Sequence, residues 1–375
     1  MRRTLVTLWF LIFSFGFIPL ASDGAQGFSI ELIKVIKFAD QSAFYNTPWS
    51  FCVTEDGLFL IPDHQDRHIK VFQQEGKYLK LVKKFNPIGF GSNRFNKPGY
   101  CFYDKDSGKF GVIDVKMKFV FIFKRSPGEM DFKLVNPGNP IKVDCYDLKL
   151  KPGSQGKQLI ISGYITDKEK KPYDLYTLNL GDTKQRHFLL LSHEKYHLSY
   201  TGYLLKYYGF RMIPMVGIRG FVDVRGDDAY FIWEGKLRII KINLETKKST
   251  NFGYQTEHYI EPFLSPGLLK AHLDKDYTQV INEKAKMSYV KYIFAAPQYI
   301  WVVYAAPRQG HLRMQQYTPE GNFLDDIQIP GNLDQVLWFD KDSDTLYSLS
   351  KVGNKEHKIS IYKVNNKGNS LNLKK

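Results

Sequence analysis

The chain has 375 residues, with 53 lysines and arginines against 38 aspartates and glutamates, a formal charge of +15. Its three cysteines are too few for a disulfide scaffold and odd in number, so at least one thiol is free or pairs between chains. The basic balance favours acidic partners such as phosphate, acidic glycans or an anionic membrane, although the lysines are scattered in the manner of an ordinary solvated surface.

In chain order, Arg2 and Arg3 precede an apolar run from Leu5 to about Leu20, and small and polar residues follow. This is the order of a secretory signal peptide over residues 1–25, with cleavage after Gly24 or Ala25. The alternative is an uncleaved anchor, but the run is shorter than the roughly 20 residues a span needs. No cysteine lies directly after it, which argues against a lipid anchor. No later segment is long and apolar enough to cross a bilayer, so an exported chain is expected, periplasmic or extracellular. A chain of this size can bury a large core as one repeat domain or as two ordinary domains.

A strand, "SIELIKVIKF" at 29–38, comes first, and then a repeat. "PWSFCVTEDGLFLIPDHQDRHIKVF" from Pro48 and "PGYCFYDKDSGKFGVIDVKMKFVFIF" from Pro98 share one plan. Each reads proline, an aromatic-Cys step, an acidic-Gly turn, an apolar strand ending in aspartate, a basic turn, and a second apolar strand. Weaker copies begin at Val143, Gly220, Val290 and Leu333. Units of three to four strands at this spacing predict an all-β, six-bladed β-propeller over 28–366, with a polar tail over 367–375. Insertions near 191–210 and 257–286 account for two long intervals. The last unit is one strand short, so the strand at 29–38 is expected to complete it and remove an exposed sheet edge.

The stretch from Phe85 to Phe123 resembles the NHL family of six-bladed propellers: Gly89 and Gly91, Phe95 before Pro98, the acidic-Gly turn, and Asp114 shortly before "FVFIF". Asp63, Arg67 and "IKVF" resemble the same pattern one unit earlier. The resemblance is good over two units and faint elsewhere. It implies the fold and a tendency toward ligand or protein binding, and no reaction.

The insertion at 257–286 reads as helical. Ser265 can cap, Pro266 suits the first helical position, and Leu269, Leu273, Tyr277, Val280 and Ile281 keep helical spacing. Its other face carries Asp274, Lys275, Glu283 and Lys284. Docking on the propeller is the expectation, with a membrane-surface helix as the alternative. His193-Glu194-Lys195-Tyr196-His197 has the spelling of a zinc-peptidase helix, in which both histidines share one face and the glutamate polarises the bound water. A metzincin-like continuation would need glycine at 200 and histidine at 203, where this chain has Tyr200 and Tyr203. No metal is therefore expected, and His193, Glu194 and His197 stand as remote candidates only. Cys52, Cys101 and Cys145 fall at matching places on innermost strands, where small buried apolar residues are commoner than a soft-metal cluster.

The turns between second and third strands usually surround one mouth of a propeller channel. Here that mouth would carry His64, Arg67, Lys116, Lys118, Lys236, Arg308, His311, Lys355 and His357, with Trp49, Arg219 and Trp233 nearby. A basic ring with aromatic planes suits an acidic or carbohydrate-like ligand. No Gly-rich phosphate loop, nucleophile elbow or paired-carboxylate constellation stands out, and no cofactor is expected.

The reading is an exported binding or interaction module whose partner is an acidic ligand, a glycan or another exported protein. Export argues against a nucleic-acid partner, and the assembly state is left open. A lactonase- or lyase-like enzyme with a channel metal is the rival, but Ser50, Tyr100, Asp144, Asp223, Tyr292 and Gln335 at the inner-strand starts make a poor cation cage. A purely structural propeller would instead show an exposed apolar patch.

Overall fold

Short β-branched and aromatic runs punctuated by turn residues form strands along the chain, because branched and aromatic side chains pack well on a pleated surface. The computed structural model describes residues 27–43, 48–86, 94–135, 141–142, 145–154, 157–166, 172–180, 187–192, 220–262, 265–353 and 356–366. After β1 (Phe28–Phe38), the first sheet holds β2 (Cys52–Val53), β3 (Phe59–Asp63), β4 (His68–Glu75) and β5 (Tyr78–Phe85). The second holds β6 (Pro98–Asp104), β7 (Lys109–Asp114) and β8 (Phe119–Lys124), with β9 (Lys133–Leu134) and β10 (Ile141–Lys142) both pairing with β8. The third is β11 (Cys145–Leu150), β12 (Gln158–Thr166), β13 (Pro172–Asn179) and β14 (His187–Ser192). The fourth is β15 (Gly220–Arg225), β16 (Asp228–Trp233), β17 (Ile239–Asn243) and β18 (Ser249–Phe252). The fifth is β19 (Tyr289–Ala295), β20 (Ile300–Ala306), β21 (His311–Tyr317) and β22 (Phe323–Gln328). The sixth is β23 (Val336–Asp340), β24 (Thr345–Val352) and β25 (Glu356–Asn366), with β1 as its outer strand.

The closing strand is placed as the sequence predicts. β1 runs antiparallel to β25 from Phe28 opposite Asn366 to Lys37 opposite Lys358, with a bulge between Leu32 and Lys34. Lys37 and Phe38 also pair in parallel with Tyr78 and Leu79 of β5, joining the sixth sheet to the first. The fold is an all-β propeller, and its core lies between sheets. Leu60 and Val71 pack on Phe110 and Val112, Ile122 on Leu159, Ile160 on Val222, and Ile232 on Val302. Trp301 packs on Phe339, and Val336 and Ile359 on Phe51 and Ile61. Each seam between successive sheets thus has its own apolar cluster, and the seams close a ring.

The repeated aspartates hold the turns together. Asp63 Oδ1 accepts from the Gln65 and Asp66 N–H groups, and Asp114 Oδ1 from those of Lys116 and Met117. Each is an Asx turn, in which the carboxylate supplies the local acceptor that a tight turn lacks. Asp63 also binds the buried Lys70 ammonium at 2.5 Å.

The 257–286 insertion is helical but broken in two, α1 (Pro266–Leu273) and α2 (Tyr277–Lys284). Lys275 takes φ +56, a left-handed value that ends a helix, and Asp276 then caps α2 through the Gln279 N–H. Ser265 caps α1 as the sequence predicts, accepting from the Leu268 N–H at 3.0 Å. A continuous helical spacing fails across the break. Leu273 and Ile281 face solvent, while Leu268, Ala271 and Val280 are buried, and Glu283, expected on the polar face, is buried and accepts from the Ser265 hydroxyl.

Candidate functional site

The first strand of each sheet lines the central channel. At the end where first strands begin and second strands turn into third strands, the channel widens into a cavity of about 930 Å³. Trp49, Tyr100, Phe221, Tyr289, Tyr292 and Trp338 form much of its wall. Three lysines (Lys149, Lys291, Lys351) and three carboxylates (Asp147, Glu234, Asp334) also line it. The site is therefore aromatic and charge-balanced.

At the rim, Trp49 stacks on His64 with ring centroids 4.7 Å apart and planes inclined by 26°. The Lys97 ammonium sits 4.7 Å from the Trp49 ring centre, a cation–π contact. Burial, helped by Lys97, lowers the His64 pKa against the pull of Asp63, so the stacked imidazole favours its neutral form.

Deeper in, Lys149 Nζ lies 3.1 Å from Asp147 Oδ1, and the two side chains keep 29% and 21% of their surface exposed to the channel. Asp147 Oδ2 accepts from the Val222 N–H at 3.1 Å, tying the third sheet to the fourth. Burial raises the Asp147 pKa above the ordinary aspartate value, with Lys149 acting against it. Burial also opposes charge on Lys149, but the Asp147 and Asp223 carboxylates outweigh it and hold the pKa of this lysine above normal.

On the fifth sheet, the pairing of β19 with β20 shifts register between Val290 and Tyr292. Lys291 is the extra residue of this bulge, and bulges re-aim side chains. Its Nζ donates to the Leu333 carbonyl at 2.7 Å and, at a longer 3.4 Å, to that of Gln335. Burial pushes the Lys291 pKa down to about 8, although Asp334 pulls it upward. The Tyr292 hydroxyl accepts the Leu337 N–H at 3.2 Å, and burial raises its pKa above the ordinary tyrosine value.

The opposite end of the channel is crossed by ion pairs. Lys105, in the β6–β7 turn, reaches past the first sheet to Asp340 at 2.6 Å and Asp342 at 2.8 Å. Lys341, in the β23–β24 turn, reaches past the fifth sheet to Asp223 at 2.6 Å. Asp223 is 1% exposed and also accepts the Ala295 N–H at 2.7 Å.

Of the residues expected at the mouth, Trp49 lines the cavity and His64 stacks on it. Arg67 and Lys118 occupy the same place in successive turns, with φ +58 and +59, and both are exposed outside the cavity wall. Arg308 is exposed in a short 3-10 turn (Pro307–Gln309), and Lys236 and His311 are half-buried. Burial lowers the His311 pKa. Two candidates lie inside the protein. Trp233 is 2% exposed and donates through Nε1 to Asp174 at 3.1 Å, and His357 is 2% exposed with a pKa lowered by burial. Arg219, Lys355 and the His193, Glu194 and His197 string lie outside the described residues.

The residues not anticipated include Asp147, Lys149, Lys291 and Asp334. Their signal in the sequence is charge on, or just before, the innermost strand of a repeat. Among the described residues, no three His, Cys, Asp or Glu side chains converge as metal ligands. Cys52 and Cys101 pack in the seam between the first and second sheets, whereas Cys145 packs in the next seam.

No protein-family model and no curated sequence matches the chain. Solved structures do resemble it. A member of the DUF4221 family from Bacteroides vulgatus superposes with a TM-score of 0.61 at 10% identity, over 91% of this chain and 99% of the other. A protein of Bacteroides fragilis, inferred to be exported, superposes with a TM-score of 0.56 at 12% identity, over 88% of this chain and 94% of the other. At such identities the likeness is one of fold.

Proposed function

We propose that the chain is an exported propeller of the six-bladed, NHL-like type that binds a carbohydrate-like ligand in the aromatic cavity. The observation that carries this reading is the wall itself: aromatic side chains together with lysines and carboxylates in equal number. Aromatic planes cover the C–H faces of a sugar ring, while ammonium, carboxylate and phenol groups exchange hydrogen bonds with its hydroxyls. A strongly acidic ligand fits the wall less well, since half of its charged groups are negative and the cations of the exposed turns lie outside it. The leader-like residues 1–25 support export, in line with the fold it shares with the B. fragilis protein.

Isothermal titration calorimetry against a panel of neutral and acidic oligosaccharides tests the reading. A neutral oligosaccharide is expected to bind, and Trp49→Ala or Asp147→Asn should weaken it. Absence of binding across the panel, or binding indifferent to both substitutions, would count against the cavity as a sugar site.

A further inference from the structure

We propose that Lys291 is a reversible trap for the aldehyde group of a ligand in the cavity, such as the open-chain end of a reducing sugar. This extends the carbohydrate reading and rests on it for the class of ligand.

Three features of geometry carry the inference. The bulge at Lys291 takes this residue out of the regular pairing of β19 and places it in the cavity wall. Its nitrogen is held by the Leu333 and Gln335 carbonyl oxygens rather than by a carboxylate, and among the described residues no ion pair reaches it. A neutral amine has two N–H bonds. With both donated to these carbonyls, its lone pair points away from them. A salt-bridged lysine such as Lys105 lacks this arrangement, because its carboxylate partners hold the protonated form.

The chemistry balances without an added oxidant or reductant. The nitrogen lone pair attacks the carbonyl carbon, a proton moves from nitrogen to the former carbonyl oxygen, and a carbinolamine forms. Loss of water gives the imine, and hydrolysis returns amine and aldehyde. Asp334, whose charge acts on Lys291, stands at the exposed lip, where solvent can supply the proton that water loss requires. The lowered pKa supports the same step. A lysine near 8 is about 200-fold richer in free amine at pH 7.5 than one near the ordinary value of about 10.4.

The test is reductive trapping. The purified protein is treated with glycolaldehyde and cyanoborohydride at pH 7.5, and the modified lysines are mapped by peptide mass spectrometry. Lys291 is expected to be modified at least about tenfold faster than the exposed Lys77 and Lys116, a figure that allows for the weaker nucleophilicity of a less basic amine. Its rate should level off above pH 8 while theirs keep rising. Modification of Lys291 no faster than Lys116 overturns the trap. Because that comparison is made within the wild-type protein, it does not depend on a variant folding. Oligosaccharide binding measured on the same sample separates the two ideas. Binding without selective trapping keeps the sugar site and removes the trap, whereas selective trapping without any oligosaccharide binding removes the sugar reading and leaves the trap for other aldehydes.

Discussion

The two ends of the channel are built from equivalent parts of one repeat, yet their charges are used differently. At the far end, Lys105 and Lys341 each bridge to another sheet and meet carboxylates at 2.6 Å. At the near end, Lys291 meets only carbonyl oxygens, and Trp49 lines the cavity with its ring stacked on His64. Pairing spends a charge on holding sheets together; a charge left without a carboxylate keeps its chemistry for a ligand. Substitutions in the far-end pairs should therefore lower stability and spare binding, and substitution of Lys291 or Trp49 should do the reverse.

The largest expected effect is at the far end. Asp223→Ala leaves the Ala295 N–H and the Lys341 ammonium without their acceptor, and breaking such a buried pair costs about 3 kcal/mol. Urea unfolding should show this loss while oligosaccharide affinity stays within about twofold, about 0.4 kcal/mol. An equal loss of affinity would break the distinction between the ends.

At the near end, Lys291→Met should stabilise the protein at pH 7 by at most about 3 kcal/mol, less what is lost with its hydrogen bonds to the Leu333 and Gln335 carbonyls, because a lysine whose folded pKa is lowered opposes folding wherever it must be charged. The sign follows from proton counting. Between the folded value of about 8 and the unfolded value of about 10.4, the unfolded chain binds more protons, so wild-type stability rises with pH through that window. The variant should lack that rise, as thermal unfolding at pH 7 and pH 9.5 would show. Lys149 has the opposite sign: its raised pKa contributes stability below the unfolded value and loses it as pH climbs through the folded one.

Trp49→Ala comes next, with about a tenfold rise in Kd, or roughly 1.4 kcal/mol, from the aromatic surface lost from the cavity wall. Its effect on unfolding should be small, since the ring is half-buried at a rim. The smallest effect belongs to Arg67→Ala with Arg308→Ala. Both side chains are exposed on turns outside the cavity wall, so neutral-sugar binding should change by less than about threefold and stability by less than about 0.5 kcal/mol. A large loss would return the site to the exposed turns.

The architecture was legible because its determinants are local and repeated. The strand-turn-strand plan at Pro48 and Pro98 and the missing strand of the last unit were enough to place β1 beside β25. The site was legible only at its edge. Trp49 and His64 could be placed because they flank a recognisable turn. Trp233 and His357 could not, because strand alternation decides which face a side chain takes and a one-residue offset reverses it. Lys291 escaped notice for a related reason, since the bulge that re-aims it is set by pairing with β20 rather than by its neighbours in sequence. In the insertion, a continuous helical period over 269–281 ignored the stop at Lys275, whose left-handed φ becomes visible only in three dimensions.

The placement of β1 also dictates an order of events. Phe28 pairs with Asn366, so the last sheet cannot be finished until segments more than 300 residues apart have met. Closing so long a loop adds little to the equilibrium cost, which grows only logarithmically with length, but contacts this distant form late. Until they form, β25 presents an open hydrogen-bonding edge that another copy could occupy. A ring joined at its first strand is thus most exposed to misassembly in its final step of folding, and a chaperone able to shield one edge would serve it best at that moment.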